Sequence, residues 1–336
     1  MSKIILHIGT HKTATTTIQN TFAGNRALLA RHGLDYPDLG PNAGHHGLAM
    51  KWLSLPQVYA LAGGPEAAWA RIGGLAREGR TVFLSSEEFS RGMPLPRLDL
   101  AELRRYLAPY AEIQVVCTLR DQLSYLQSIY MEISKRAVPP NWGTFFAGAL
   151  ASDFATGLFL DFNALDDHLR GSFARDEITY LDFTTARAAP GGMLGSMLAL
   201  AGVGLTAEAL KPVNGGQANV SPDPLAAWAA SQIAQPEPAP ASLVALAEAA
   251  LAEELAPGQR STIYSRAEEQ RLLAHFAPLN ARFTERIAAV APAFRLSAPP
   301  PGRKFYREDI GAGFWLRIAR RLHAGKGKTA RPRVPA

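Results

Sequence analysis

The chain has 336 residues, 47% of them hydrophobic and 19% charged, with 35 Lys and Arg against 29 Asp and Glu. That balance excludes a disordered or fibrous protein and allows one large core with an appendage. The net charge of +6 is unevenly placed, because residues 299–336 hold ten Lys and Arg against Glu308 and Asp309; the body is left slightly acidic and no nucleic-acid partner is expected of it.

In chain order, MSKIILHIG has too few apolar residues for a secretory signal, and no stretch approaches the ~20 apolar residues of a spanning helix. A cytoplasmic protein without a membrane anchor is expected. KIILHI at 3–8 predicts a buried strand, GTHKTA interrupts it, and TTTIQNTFAGNRALLARHG predicts one helix closed by Gly33. Further strands are predicted at 81–86, 113–119 and 178–183, with helix-like segments between them. Cys117, the single cysteine, lies in the apolar run IQVVCTL and reads as a buried small hydrophobe in a reducing compartment. Strands alternating with helices predict an α/β three-layer sandwich: a central parallel sheet covered on both faces, as in P-loop-like nucleoside-phosphate-binding folds.

After about Pro190 the strand signals stop and Ala-rich segments predict a helical second half. QPEPAPA at 235–241 is a connector, and APPPGRK at 298–304 separates the body from the basic tail. The expected division is therefore a domain over 1–298, with its α/β core to about 190 and a helical part over 191–298, followed by a tail at 299–336. In that tail, GFWLRIARRL puts Trp315, Ile318, Ala319 and Leu322 on one face, with Arg317, Arg320 and Arg321 elsewhere. Such a helix can pack on the body, or lie peripherally on an anionic membrane surface or a polyanionic acceptor.

The chemistry points to HIGTHKTATTT. A glycine-containing loop between a buried strand and a helix start gathers backbone N–H groups and the positive end of the helix dipole, which makes an anion site. Gly9, His11, Lys12, Thr13, Ala14, Thr15, Thr16 and Thr17 are the candidate ligands, with Lys12 supplying charge and the threonines hydroxyl donors. The G-x-x-x-x-G-K-[ST] pattern of the Walker A loop is not met, because His11 precedes Lys12. What the run resembles is the phosphosulfate-binding loop of the sulfotransferases, in which a lysine, a small residue and two or three Ser or Thr open the first helix. Ala14 stands where that family usually has glycine.

A second patch, CTLRDQLSYLQSIYMEISK, places Arg120 at a strand end with a helix after it. Arg120 with Ser128 and Tyr130 is similar to the same family's signature, and the resemblance implies that Arg120 and Ser128 grip the 3′-phosphate of the co-substrate. GHHGLA, SSEEFS and VNGGQANVSPDPL follow the order found in bacterial members, and the last of these, with Asn214, Gly215, Gly216, Asn219 and Ser221, could close over the nucleotide. The resemblance implies a sulfotransferase that moves a sulfuryl group from 3′-phosphoadenosine-5′-phosphosulfate to a hydroxyl or amine of a carbohydrate, lipid or small-molecule acceptor, with no metal.

Such transfer needs a cation on the leaving phosphate and a base for the acceptor's proton. Lys12 is the expected cation. The base is open among His45, His46, Glu87 and Glu88: position after the second predicted strand favours Glu87, and the ordinary pKa of imidazole favours His46. Two rivals remain, a nucleotide kinase or NTPase that would draft Asp121 and Asp182 for Mg²⁺, and a nucleotide-binding module without turnover.

Overall fold

The computed structural model describes residues 1–92, 98–213 and 222–329. In order these form strand β1 (Lys3–His7), helices α1 (Thr15–Gly24) and α2 (Arg26–Arg31), strand β2 (Leu34–Asp35), helix α3 (Gly64–Gly73), strand β3 (Thr81–Ser85), helix α4 (Leu100–Leu107), strand β4 (Glu112–Leu119), helices α5 (Gln122–Arg136) and α6 (Trp142–Ser152), and the paired strands β5 (Phe154–Ala155) and β6 (Leu158–Phe159). Then come helix α7 (Phe162–Arg170), strand β7 (Ile178–Asp182), helices α8 (Phe183–Ala188), α9 (Gly192–Ala201), α10 (Pro224–Ala234) and α11 (Ala241–Leu251), strand β8 (Arg260–Ser261), helix α12 (Arg266–Ile287), strand β9 (Lys304–Phe305) and helix α13 (Ala312–Thr329). Among the described residues no helix is long and apolar enough to cross a membrane.

The chain divides into two compact units. One comprises Met1–Tyr125, Gly148–Ala218 and His275–Ala298; the other comprises Leu126–Ala147, Asn219–Ala274 and Pro299–Ala336.

The first unit is built on a five-stranded parallel sheet in the order β2-β3-β1-β4-β7. Its strands read as apolar runs because both faces are covered. Ile4, Leu6, Val82, Leu84, Val115 and Cys117 enter the core beneath α3, α4 and α7, whereas Ile5, Phe83 and Val116 meet Ile18, Phe22, Met193 and Met197 on the other face. This is the three-layer α/β architecture expected. Cys117 is fully buried, and burial pushes its thiol pKa up. Helix α1, which follows β1, packs on one face, and α4, the next α-helix after the neighbouring β3, packs on the other. Chains leaving adjacent strands toward opposite faces open a crevice at the strand carboxyl ends, where ligands of such sheets bind.

Two local expectations need correction. The single helix predicted over 15–33 is two, α1 and α2, broken at Asn25. The side chain of Asn25 donates to Thr21 O (2.8 Å) and Lys211 O (3.1 Å) and accepts from Lys211 N (2.9 Å), drawing the chain out of helical register next to Gly24, itself a poor helix former. The strand β2 was not expected; it is two residues long and pairs at the sheet edge, with Asp35 held by Arg80.

In the second unit, α10, α11 and α13 pack through Leu225, Ala229, Leu243, Ala247, Phe314 and Ile318, and β8 pairs with β9 in parallel. The buried side of α13 runs through Phe314 and Ile318; Ala319, placed on the apolar stripe from sequence, is exposed. Arg317 and Arg321 bridge back to Glu254 and Glu253 on the chain just after α11. The buried face is thus turned toward Phe314, an apolar residue outside the predicted stripe, with the ion pairs beside it.

Candidate active site

The loop between β1 and α1 is tied to β4, which continues through Leu119 past its register with β1. Ile8 N donates to Val116 O (2.9 Å), while Thr10 N and Thr10 Oγ1 both donate to Thr118 O (3.1 and 2.8 Å). Lys12 and Ala14 take left-handed backbone conformations, with φ of 69° and 62°. Each such residue costs roughly 1–2 kcal/mol when it carries a Cβ, so the loop stores strain at the two positions flanking Thr13. The Thr13 hydroxyl is fully buried and donates to Thr10 O at 2.5 Å, which fixes the turn. Helix α1 then starts at Thr15 without a side-chain cap. The buried Thr15 Oγ1 has no hydrogen-bond partner among the described residues, whereas Thr16 and Thr17 are exposed. Gly9 is required by packing: a Cβ there would stand 2.7 Å from His7 Nε2 and 3.2 Å from Thr13 Oγ1.

Arg120 follows β4. One guanidinium nitrogen donates to Lys12 O at 3.2 Å, and the group lies over the Phe183 ring at 5.3 Å, since Leu119 and Asp182 are register partners and Arg120 and Phe183 come next on each strand. Burial, and then the nearby charge of Arg187, lower the Arg120 pKa. A desolvated cation is thereby bonded to the loop's own backbone within the first unit. Ser128 lies two turns into α5 and belongs to the second unit. Tyr130, also there, is buried, donates to Pro140 O (2.9 Å) and packs edge-on against Trp142, so its place is structural.

At the end of the neighbouring β3 the four candidate bases separate by environment. His45 is buried with both ring nitrogens engaged: Nδ1 accepts from Ser85 N and Nε2 donates to Pro37 O, each at 2.9 Å. Glu88 is bonded to Arg91 and lies 3.5 Å from His11 Nε2. Burial pushes its carboxyl up, but His11 and Arg91 outweigh that and hold the group down at about 2, too weak a base to be useful. His46 and Glu87 come together instead. His46 Nδ1 is 2.9 Å from Ser86 Oγ and 3.9 Å from Glu87 Oε2. His11, read from sequence as an anion ligand, faces Glu88 and Arg91 through Nε2; its buried Nδ1 has no partner among the described residues. Arg91 also donates to Thr156 O (2.8 Å) in the turn of the β5–β6 hairpin, whose Thr156 and Gly157 both have positive φ.

Asp121 and Asp182, the carboxylates a kinase would use, cap helices: Asp121 accepts from Ser124 N, and Asp182 accepts from Thr185 N and Ser297 Oγ. Among the described residues no group of three or more His, Cys, Asp or Glu is placed to hold a metal. The loop with Asn214, Gly215, Gly216, Asn219 and Ser221 lies outside the described residues.

Sequence reasoning missed two members of this cluster. His7 reads as one more strand residue, yet its Nδ1 bonds Ser85 Oγ at 2.9 Å and its buried Nε2, beneath Gly9, has no partner among the described residues. Gln19 reads as a helix polar residue, yet it is 3% exposed and reaches Glu87. The one local signal was the spacing of Gln19 four residues after Thr15, which puts both on one helix face.

Burial pulls the imidazoles of His7 and His45 down to about 4 from 6.5. The unfolded chain therefore binds protons at these sites from pH 6.5 downward, while the native chain refuses them until about pH 4. Their contribution is complete above pH 6.5 and is lost as pH falls toward 4, by about 1.4 kcal/mol per pH unit per group; Glu88 extends the loss from about pH 4.5 to 2. The urea midpoint is expected to fall steadily from pH 6.5 to 4, with His45→Gln, though destabilised at neutral pH, showing about half the slope. A flat profile over that window would contradict the assignment of both histidines as buried and neutral.

No family model matches the chain, and no curated protein matches it in sequence. Among solved structures it is similar to a sulfotransferase from Alicyclobacillus acidocaldarius, at 14% identity and a TM-score of 0.48, over 84% of this chain and 94% of that one.

Proposed function

We propose that the chain is a sulfotransferase that moves a sulfuryl group from 3′-phosphoadenosine-5′-phosphosulfate to a hydroxyl or amine of an acceptor, a carbohydrate being one candidate class. The observation that carries the reading is the loop itself. A buried Thr15 hydroxyl without a partner among the described residues stands at the start of α1, beside a Lys12 whose strained backbone is bonded to Arg120. An anion in the loop supplies the acceptor that Thr15 lacks, which is the fit expected of a phosphosulfate.

The co-substrate supplies the activated sulfuryl group and the phosphate that leaves with it. Lys12 meets the negative charge that develops on that phosphate, and Arg120 grips the 3′-phosphate through its planar fork. His46 takes the acceptor's proton: with Nδ1 turned to Ser86 Oγ and Glu87, its Nε2 offers the lone pair, and the Glu87 carboxylate steadies the imidazolium that results. The reading assigns no metal, and Asp121 and Asp182 serve as helix caps.

The test is calorimetric binding in EDTA. Adenosine 3′,5′-bisphosphate is expected to bind at least tenfold more tightly than ADP, and Arg120→Ala is expected to remove most of that preference. Equal affinities, or binding that appears only with Mg²⁺, would favour the kinase reading.

A further inference from the structure

Thr15 and Gln19 stand one turn apart on the buried face of α1. The first belongs to the anion loop; the second reaches across to the end of β3. Gln19 Nε2 donates to Glu87 Oε2 at 3.1 Å and lies 3.3 Å from Ser85 O and 3.4 Å from Ser85 Oγ. An amide nitrogen has two hydrogens and can only donate, so one serves Glu87 and the other Ser85. The buried Ser85 hydroxyl lies 2.9 Å from His7 Nδ1. Glu87 Oε2 in turn lies 3.9 Å from His46 Nδ1. Gly44 makes room for this arrangement: a Cβ there would stand 2.7 Å from Gln19 Oε1 and 2.5 Å from His46 Nε2.

We infer that Gln19 is a positioning residue, which holds the His46–Glu87 pair in fixed relation to the anion loop at the start of its own helix. What the pair does rests on the sulfotransferase reading; what Gln19 does rests on its hydrogen bonds. A neutral amide suits the place, because it orients the carboxylate without cancelling the charge that supports the imidazolium. Since a 1 Å misplacement of a reacting group can cost on the order of 100-fold, losing this tether acts on the rate rather than on nucleotide affinity.

The test is a double-mutant cycle with Gln19→Leu, Glu87→Gln and the pair, in the full chain. Gln19→Leu is expected to lower the single-turnover rate about 10- to 100-fold while the Kd for adenosine 3′,5′-bisphosphate stays within about twofold. In the Glu87→Gln background the same change should cost less than about twofold, because its route to the reaction has already been removed. Equal losses in both backgrounds, or a Kd that rises with the fall in rate, would overturn the inference. Gln19→Met replaces the leucine variant if the latter does not fold. Should the unaltered chain neither bind the bisphosphate nor transfer sulfuryl, the proposed function falls, and urea midpoints decide the positioning role. A larger drop for Gln19→Leu beside Glu87 than beside the glutamine supports it; equal drops overturn it.

Discussion

Lys12→Ala is expected to lower kcat by about 1,000-fold while leaving the affinity for adenosine 3′,5′-bisphosphate within a few-fold. Removing one group that stabilises charge only as it develops typically costs 10²–10³ in rate, near 4 kcal/mol at the upper end. The substitution should spare the loop, because the group that Arg120 holds is the Lys12 carbonyl, which alanine retains. The left-handed backbone at position 12 is as accessible to alanine as to lysine. Arg120→Ala should behave differently in kind. It removes a cation that acts alike on bound co-substrate and transition state, and it frees the carbonyl that anchors the loop, so Kd is expected to rise at least 30-fold with a smaller change in kcat. Stopped-flow single turnovers across co-substrate concentrations separate the two effects. A Lys12→Ala defect confined to Kd would overturn this division of roles.

The second large effect is expected at the base. His46→Gln should lower the single-turnover rate by about 10²–10⁴, the range for losing a positioned general base. Sequence alone set His46 and Glu87 against each other, one required and the other dispensable. The structure sets them 3.9 Å apart, close enough to act as one unit under the proposed function. Glu87→Gln is thus expected to cost about 10- to 100-fold, and the double variant should be no slower than His46→Gln, since groups acting as a unit are not additive. His45→Gln is the control: it should destabilise the fold, through the lost bonds to Ser85 N and Pro37 O, and leave the chemistry of the folded fraction nearly intact. Multiplicative losses in the double variant would show that His46 and Glu87 act separately.

The parallel sheet and the loop before α1 were legible because each rests on local signals: apolar runs of strand length, a glycine, and a cluster of hydroxyls at a helix start. Ala14 takes a left-handed backbone, and it stands where the resemblance places a glycine. The rest depends on partners far along the chain. Gln19 meets Ser85 and Glu87 across more than sixty residues, and Asn25 breaks its helix to bond Lys211, which no periodicity within the helix reveals. The equivalence of His45 and His46 in sequence dissolves for the same reason. One faces a backbone amide and a carbonyl through its two ring nitrogens, and the other faces a serine and a carboxylate through Nδ1 alone among the bonds the described residues make. In α13 the buried face includes Phe314, which the predicted stripe left out, and Arg317 and Arg321 pair with Glu254 and Glu253, charges that lie outside the helix.

The central claim is that the loop over Gly9 to Thr17 holds a phosphosulfate for transfer, and sulfur-labelled 3′-phosphoadenosine-5′-phosphosulfate tests it most directly. The chain is incubated with this co-substrate in EDTA, against a panel of carbohydrate, phenol, lipid and amine acceptors. The prediction is that label moves to an acceptor with release of an equal amount of adenosine 3′,5′-bisphosphate, and that Lys12→Ala slows the transfer about 1,000-fold. Tight binding of the bisphosphate with no label transferred to any acceptor class, or transfer at an unchanged rate by Lys12→Ala, would contradict it.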